Sequence, residues 1–367
     1  MTDPSTPEQT GYERRQVGTW FLIGSITGIF LMWTQASAVG GWTGLLSVGE
    51  DSLLRPLIST ELPDLVAVPD EGNDGQIYYA IALDLGGDTV PQLLNDPELR
   101  YQRIAYPFVA SLGGLLRGYP LFWAMIGLSI VGLGLAAAGI EELRSLLGVG
   151  RWIHLGVFLN PGVWLSVRQL TPDMLGLGLC LAVLPLGLSK RWFPAVVILS
   201  VAALTKESLV LFAGGLALWL IIQRLRGQGL ATGALPVLSV LGWSSGAKAL
   251  TGGDGRIGGG NWSLPFQGIS DATSFWPTSP TREQVMTAIA LAIVLVGFVA
   301  FVLTRSVLGR CLLLPWLVLP LVTSEWVWRF GNGSLRGFAP IGVLAAIALA
   351  DRRAMSAGQL SISHRRA

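Results

Sequence analysis

Charged residues are scarce in this sequence, and their scarcity excludes most soluble folds. Asp, Glu, Lys and Arg make up 13% of the 367 residues, about half of the roughly 25% that soluble domains carry. Hydrophobic residues make up 51%. Runs such as 121–138 and 288–303 contain no charge and approach the roughly 20 apolar residues that a transmembrane helix needs. Water therefore cannot be the solvent for most of the surface.

Cysteine and histidine are nearly absent, which argues against a metal centre or a disulfide framework. Cys180 and Cys311 both lie inside apolar runs, and His154 and His364 are isolated in the sequence. A structural metal site usually takes four such ligands, so we predict none. The chain also has no basic cluster of the kind that binds nucleic acid.

Ten apolar segments predict an all-α polytopic membrane protein of about 10 transmembrane helices in a single domain, residues 19–350. The segments are 19–38, 119–140, 152–168, 173–188, 192–204, 208–223, 230–250, 284–304, 311–324 and 337–350. We expect 192–204 to tilt or to be sheltered by its neighbours, because it is too short to cross upright. Residues 1–18 and 351–367 are predicted polar tails.

The distribution of basic residues predicts the orientation of the chain. With the N-terminus in the cytoplasm, each short cytoplasmic connection contains a basic pair, as the positive-inside rule expects. The pairs are Arg14/Arg15, Arg144/Arg151, Lys190/Arg191, Arg224/Arg226, Arg305/Arg310 and Arg352/Arg353. Both tails are then cytoplasmic, and the long polar connections 39–118 and 251–283 face the extracytoplasmic side.

Each long connection has an apolar or aromatic part that suggests contact with the membrane surface. Segment 104–116 is apolar, and we predict a helix lying on the membrane, since a spanning helix here would reverse the side of every later connection. Connection 251–283 is rich in Gly, Ser and Pro, and predicts a mobile loop anchored at the interface by aromatic side chains. These are Trp262, Phe266, Phe275 and Trp276.

Ionisable residues gather on the extracytoplasmic side. They are Glu71, Asp74, Asp84, Arg100, Arg103, Arg168, Asp173, Lys206, Glu207, Glu325, Arg329 and Arg336. Such groups are costly at membrane depth unless they are paired or solvated, so each is a functional candidate. The positive-inside rule disfavours arginine on that side. A cluster of arginines there is typical of a phosphate or diphosphate site, and a nearby carboxylate could act as a general base.

Simpler structural roles also fit these residues. Asp74 stands in an Asn-Asp-Gly sequence that often only makes a turn. Arg100 and Arg103 could anchor a surface helix by extending toward the headgroups. Arg168 and Asp173 flank a short turn, and a salt bridge across that turn is the favoured reading.

The remaining candidates have similar alternatives. Lys206 and Glu207 could mark the boundary between two spans. Tyr78, Tyr79 and Tyr106 are most simply interpreted as aromatic residues of the membrane interface. The convergence of all these groups on one face is what favours a joint site.

Two stretches within residues 71–109 resemble a known group of proteins. The sequence DGQIYY begins at Asp74 and RYQRIAYP begins at Arg100. Together they resemble bacterial multi-span proteins of cell-surface glycopolymer formation. Over nearly the whole chain, the layout resembles the GT-C superfamily of integral-membrane glycosyltransferases, which use polyprenyl-phosphate-linked sugars.

The resemblance implies an inverting glycosyltransferase in the bacterial cytoplasmic membrane, with its active site on the extracytoplasmic side. Asp74 would be the catalytic base. Candidate donor-phosphate or substrate-binding residues are Tyr78, Arg100, Arg103, Lys206, Glu207, Arg329 and Arg336. Candidate supporting residues are Glu71, Asp84, Arg168, Asp173 and Glu325. The acceptor would be a glycan, a lipid or a protein.

Two departures from the family and two rival functions stay open at this point. Many members carry paired acids in the first loop, whereas Asp74 has no acidic immediate neighbour, so no metal ligands are assigned and a role for Mg²⁺ or Mn²⁺ stays open. The chain also has fewer predicted spans than many members. The rivals are a lipid or glycolipid transporter or flippase, and a non-catalytic membrane assembly subunit. Transporters place ions near the midplane and often show repeated halves, and neither feature is evident.

Overall fold

The computed structural model describes residues 7–69, 71–253, 261–275 and 281–351, with only the backbone for 7–14. In this part of the chain seventeen α-helices form, and pairing of extended backbone is confined to three isolated bridges. The helices are α1 (Pro7–Ala38), α2 (Arg55–Glu61), α3 (Asp74–Leu83), α4 (Pro97–Gln102), α5 (Ala105–Ala110), α6 (Gly118–Leu147), α7 (Leu155–Phe158), α8 (Pro161–Arg168), α9 (Pro172–Leu188), α10 (Trp192–Thr205), α11 (Val210–Ile222), α12 (Arg226–Thr251), α13 (Gln267–Thr273), α14 (Arg282–Leu303), α15 (Val307–Val322), α16 (Glu325–Arg329) and α17 (Gly331–Ala350). Four 3-10 helices also form, at Thr43–Leu46, Val90–Leu93, Arg151–His154 and Glu207–Leu209.

Five of these helices are long and apolar enough to cross a membrane, which agrees with an all-α polytopic membrane protein. They are α6, α12, α14, α17 and the part of α1 from Arg15 to Ala38. The predicted count of about ten is not confirmed. Helices α9, α10, α11 and α15 are apolar but have only 13 to 17 residues. At 1.5 Å per residue they rise about 20–26 Å, less than the roughly 30 Å hydrocarbon core.

The predicted span 152–168 is wrong as a continuous helix. The chain there forms the 3-10 helix Arg151–His154, then α7 and then α8. The break falls at Asn160, whose side chain accepts hydrogen bonds from the backbone N–H groups of Gly162 and Val163. A residue before proline disfavours helical geometry, and an asparagine cap starts a new helix. Hydropathy alone does not detect this interruption.

The predicted tails are only partly within the described residues. Helix α1 begins at Pro7, so most of the predicted tail 1–18 continues the first helix. Of the predicted tail 351–367, only Asp351 is described, and its buried carboxylate accepts a hydrogen bond from Ser306 Oγ (2.5 Å). The basic pair Arg352/Arg353 and the predicted anchor Trp276 lie outside the described residues.

Close helix packing builds the bundle. Helix α6 packs against α1 on one side and α9 on the other, α10 packs against α9 and α12, and α17 packs against α14 and α15. Glycines allow the closest approach: a Cβ at Gly132 of α6 would lie 2.7 Å from the carbonyl oxygen of Met174 in α9. Small residues at such crossings let membrane helices approach closely.

The first long connection, 39–118, folds into a compact layer of short helices, α2 to α5. The predicted surface helix 104–116 is shorter than expected, because only Ala105–Ala110 is helical. Side chains such as Leu112 and Leu115 are exposed just beyond it, so an apolar surface does remain there. Six helical residues rise about 9 Å and cannot cross a bilayer.

The interpretation of three tyrosines as interface aromatics is wrong. Tyr78, Tyr79 and Tyr106 are all completely buried. The Tyr79 hydroxyl donates to the carbonyl oxygen of Gly118 (3.1 Å), and the Tyr106 hydroxyl donates to that of Leu170 (3.1 Å). A buried tyrosine stabilises a core when its hydroxyl finds such a partner. These residues join the first connection to the bundle.

The described part of the second connection, 261–275, is tied to the end of α15. Trp262 forms an isolated bridge with Thr323, and the N–H of Ser263 donates to the carbonyl oxygen of Val322 (2.8 Å). Helix α13 packs against α16. The predicted loop therefore contains a short helix and is attached to the bundle here, and its mobility stays a prediction.

A substitution at the α6–α9 crossing tests this packing. We expect Gly132→Ala to lower the free energy of unfolding by about 1–3 kcal/mol, the usual cost of overpacking, because the added Cβ meets the backbone of α9. The measurement is denaturant unfolding of the purified protein in detergent. Gly127→Ala is the matched control on the same helix, since its Cβ would meet no described atom within 4 Å apart from its chain neighbours and the backbone of its own helix. Equal stability of the two variants would contradict the close approach.

Candidate functional site

A cavity of about 1030 Å³ lies where the first connection meets the ends of several helices. Asp74 opens α3, Arg100 lies in α4, and Arg103 follows α4 directly. The bundle supplies five more ionisable residues to the cavity lining. They are Asp173 of α9, Lys206 and Glu207 between α10 and α11, Glu283 of α14, and Arg336 of α17.

Asp74 lies between two arginines. Arg100 Nη1 donates to Asp74 Oδ1 at 2.8 Å, and Arg336 Nη2 donates to Asp74 Oδ2 at 2.6 Å. The backbone around Asp74 is fixed by close packing, because a Cβ at Gly75 would lie 2.7 Å from the carbonyl oxygen of Gln169. Both carboxylate oxygens are therefore engaged by guanidinium groups from distant parts of the chain.

These contacts keep Asp74 ionised. Burial by itself would raise the pKa of the Asp74 carboxyl, but the charges of Arg100 and Arg336 outweigh burial and hold this pKa well below its usual range. Because the pKa is depressed in the folded protein, the ion pairs stabilise the fold above the usual aspartate pKa. That stability falls as the pH drops below the usual aspartate pKa and is gone once the pH has passed through the depressed value. In this arrangement Asp74 is a weak proton acceptor.

Arg336 joins Asp74 to a second carboxylate. Its Nη1 lies 3.6 Å from Asp173 Oδ2, and the ammonium group of Lys206 donates to Asp173 Oδ1. The prediction that Asp173 pairs with Arg168 is wrong, because the described ion pairs of Asp173 are with Lys206 and Arg336. The turn between Arg168 and Asp173 instead directs Asp173 into the cavity lining.

Arg103 forms a second, bidentate ion pair in the same cavity. Its Nε and Nη2 donate to the two oxygens of Glu207 at 2.8 and 2.9 Å, and its Nη1 donates to the Tyr78 hydroxyl at 2.9 Å. Bidentate guanidinium–carboxylate pairs are strong and directional. The buried Tyr78, predicted both as an interface aromatic and as a candidate substrate-binding residue, thus orients Arg103 and is absent from the cavity lining itself.

The cluster as a whole is close to neutral. Its cations are Arg100, Arg103, Lys206 and Arg336, and its anions are Asp74, Asp173 and Glu207. All seven were predicted as site residues, and the structure brings them together. The prediction had emphasised positive charge, however, whereas each cation already has an anionic partner. An incoming anion must compete with those carboxylates.

Besides Tyr78, five other predicted residues lie outside this cluster. The Asp84 carboxylate accepts hydrogen bonds from three backbone N–H groups, at 88, 89 and 90, and so shapes a turn. The guanidinium of Arg329 lies over the ring of Phe275, 4.4 Å from its centroid. Arg168 and Glu325 are absent from the cavity lining. Glu71 does line the cavity.

Sequence reasoning missed the uncharged part of the lining. Aliphatic side chains of α11 and α12 and aromatic side chains near α16 surround the charged cluster. The aliphatic set is Val210, Leu211, Val237, Val240 and Leu241, and the aromatic set is Trp262, Trp326 and Phe330. Trp262 alone had been noted, as a membrane anchor. The position of Trp326 and Phe330, between the ionisable residues Glu325 and Arg336, was the signal available in the sequence.

The described residues contain no group of three or more His, Cys, Asp or Glu side chains that could hold a metal ion. Cys180 and Cys311 are free and buried. Asp74 and Asp173 each bind cationic side chains instead. The carboxylates of the cluster are thus occupied by the protein's own charges.

No family model matches the chain, and neither the curated proteins nor the solved structures contain a match. The likeness to the GT-C superfamily therefore stays a prediction from the two sequence stretches and the layout. Function must be inferred from the chemistry of the cavity.

The Arg103–Glu207 pair gives a test of the buried network. We expect Glu207→Gln to lower the free energy of unfolding by about 3–5 kcal/mol, because it leaves the buried Arg103 charge without its anionic partner. The measurement is denaturant unfolding in detergent.

Glu61→Gln is the matched control. Glu61 pairs with Arg117, whose side chain is 59% exposed, and exposed pairs contribute only about 0–1 kcal/mol. Similar losses in the two variants would contradict the buried character of the Arg103 pair.

Proposed function

We propose that the protein is an inverting glycosyltransferase that moves a sugar from a polyprenyl-phosphate donor to an acceptor outside the cytoplasm. The observation that carries the proposal is the composition of one cavity. It combines a carboxylate held by two arginines, two further cationic side chains, and an aliphatic wall on a helix long enough to span a membrane. A lipid-linked sugar phosphate needs both kinds of surface.

The aliphatic wall supports a lipid-linked donor. Val237 and Leu241 of α12 line the cavity and are also 39% and 44% exposed. The cavity wall is therefore continuous with the exposed apolar face of a candidate membrane span. A prenyl chain could follow this face while its phosphate enters the cavity.

The charged cluster supports binding of the donor phosphate. Arg100, Arg103 and Arg336 present guanidinium groups, which match phosphate oxygens in bidentate geometry. Lys206 adds a fourth positive charge. In the proposed reaction these groups stabilise the charge that develops on the leaving phosphate.

The proposed reaction uses Asp74 as the general base. The acceptor hydroxyl oxygen attacks the anomeric carbon of the sugar, and its proton passes to the Asp74 carboxylate. The new carbon–oxygen bond forms on the face opposite the breaking bond, so the anomeric configuration inverts. The bond between the anomeric carbon and the phosphate oxygen breaks, and its electron pair leaves with polyprenyl phosphate.

The ion pairs of Asp74 fit this role if the donor replaces them. In the ligand-free arrangement Arg100 and Arg336 hold the carboxylate, where it is a weak base. A donor phosphate attracts the same two guanidinium groups. As they turn to the phosphate, the pKa of Asp74 rises toward a value suited to proton transfer.

Location and orientation follow from the same proposal. The protein would lie in a bacterial cytoplasmic membrane with both termini in the cytoplasm, a GT-C-like arrangement of helices, and the cavity opening to the extracytoplasmic side. The basic pairs of the short connections support this orientation.

The Asp74→Asn variant tests whether Asp74 is the general base. We expect it to reduce the transfer rate by about 100- to 10,000-fold, the usual contribution of a general base, because the amide cannot accept the acceptor proton. The measurement is transfer of radiolabelled sugar from synthetic polyprenyl-phosphate donors by the purified protein.

Two controls keep this test specific. Asp88→Asn changes an exposed aspartate and should transfer like the wild type, and the thermal midpoint of each variant checks folding. Full sugar transfer by the Asp74→Asn variant would refute Asp74 as the general base. Absence of transfer by the wild type, with movement of the lipid between leaflets in proteoliposomes, would favour a flippase.

Arg336→Gln tests donor binding. We expect the KM for the donor to rise by about 10- to 100-fold, since a hydrogen bond to a charged group contributes about 1.5–3 kcal/mol. The measurement is the initial rate at varied donor concentration. Arg117→Gln is the control, because Arg117 is exposed and pairs only with Glu61 among the described contacts. An unchanged donor KM in Arg336→Gln would exclude Arg336 from the phosphate site.

A further inference from the structure

Three exposed aromatic side chains line the same cavity as the charged cluster. Trp262, Trp326 and Phe330 are 50%, 53% and 48% exposed, and all three belong to the cavity lining. We call these three residues the aromatic rim. Large aromatic side chains that are half-exposed beside a cavity are typical of a binding surface, because a ligand that covers them buries their apolar area.

The aromatic rim is held in place before any ligand arrives. The rings of Trp326 and Phe330 are nearly parallel, 11° apart, with centroids separated by 6.0 Å. The Arg329 guanidinium lies 5.6 Å from the centroid of each ring and 4.4 Å from that of Phe275. Cation–π contacts of this kind fix the orientation of the rings.

Backbone pairing fixes the third member of the rim. Trp262 forms its bridge with Thr323, and the N–H of Ser324 donates to the carbonyl oxygen of Asn261 (2.8 Å). The backbone that carries Trp262 is therefore already ordered, which lowers the entropic cost of binding.

Polar side chains belong to the same cavity lining. Asn261 precedes Trp262 in the chain, and Asn332 is two residues from Phe330. Glu283, also in the lining, accepts at Oε2 a hydrogen bond from the N–H of Asn332 (3.3 Å). A sugar ring has apolar C–H faces and hydroxyls around its edge. A surface with aromatic faces and amide or carboxylate edges is complementary to both.

An acyl chain does not fit this surface as well. An acyl chain forms no hydrogen bonds with amide or carboxylate groups. Burying those groups against it would therefore cost free energy. The aliphatic wall of Val237 and Leu241 already offers a surface for the lipid part of a substrate.

We propose that the aromatic rim binds a carbohydrate chain, whose sugar rings stack on Trp262 and Trp326. The identification of this carbohydrate as the acceptor rests on the proposed glycosyltransferase function; the binding itself does not. The substrate class of the acceptor is then a glycan, and the reacting hydroxyl belongs to a sugar that the rim holds in the cavity.

The experiment measures glycan binding without a donor. Wild-type protein in lipid nanodiscs is applied to an array of immobilised oligosaccharides built from neutral hexoses and pentoses, and affinities are then measured for the oligosaccharides that are retained. We expect retention of at least one. Trp262→Ala and Trp326→Ala should each weaken its affinity by roughly twofold to tenfold, the value of one aromatic contact.

Two variants separate stacking from general effects. Trp326→Phe keeps an aromatic face and should bind nearly as the wild type does. Trp123→Ala removes an equally exposed tryptophan, 48% exposed on α6 and outside the cavity lining, and should not change binding. A thermal midpoint within the range of the wild type shows that each variant is folded.

A second measurement addresses the main rival, a membrane-interface belt of tryptophans. Brominated phospholipids quench the fluorescence of tryptophans that face lipid, so the difference between the wild type and Trp326→Phe reports on Trp326. We expect quenching by soluble acrylamide and protection from it by the bound oligosaccharide. Strong quenching by the brominated lipids would assign Trp326 to the membrane surface and overturn the proposal.

The outcomes also distinguish this proposal from the proposed function. No oligosaccharide retained by the wild type, or equal affinity in Trp326→Ala, overturns the aromatic rim as a glycan site even if sugar transfer to a lipid acceptor is found. Full transfer activity in Asp74→Asn would instead remove Asp74 as the base and leave the glycan site standing.

Discussion

The pairing of buried charges is the constraint on which the rest of the structure depends. Three carboxylates and four cationic side chains meet in a largely apolar bundle, and an unpaired charge there would cost several kcal/mol. Arg336 of α17 is central to this pairing, since it contacts two carboxylates, those of Asp74 and Asp173. The short helices of the first connection, the start of α9 and the start of α17 can therefore pack only in positions that satisfy these contacts. The same arrangement leaves Asp74 ionised and held by arginines until an anion competes for them.

Much of the candidate site could be predicted from the sequence, because ionisable residues are conspicuous in an apolar chain. Asp74, Arg100 and Arg103 stood out in this way, and so did the residues that the bundle contributes. Their partners could not be predicted, since Asp74 and Arg336 are 262 residues apart and local spacing does not encode such a contact. Arg329 and Arg336 looked equivalent in the sequence. They differ because the chain turns between α16 and α17, which sends Arg329 toward aromatic rings and Arg336 into the cavity.

The fold was predictable in class and less so in detail, for physical reasons that particular residues illustrate. Hydropathy identifies apolar helices, and five are long enough to span. It does not register the break at Asn160, where a side-chain cap and the following proline start a new helix. It also misjudged the tyrosines of the first connection. Amphipathic aromatics suit a membrane interface, but Tyr106 is buried because the carbonyl oxygen of Leu170 is placed to accept its hydroxyl. Whether a tyrosine finds such a partner is decided by tertiary packing alone.

The double contact of Arg336 has a consequence for how this protein can vary. A change at Asp74 or at Asp173 leaves the guanidinium with excess positive charge, and a change at Arg336 leaves two carboxylates in mutual repulsion. Each single replacement therefore passes through a less stable intermediate, whereas a coordinated replacement of all three can preserve the charge balance. Among descendants of a common ancestor, positions 74, 173 and 336 should be retained together or replaced together, and the alternatives found at any one of them should depend on what occupies the other two.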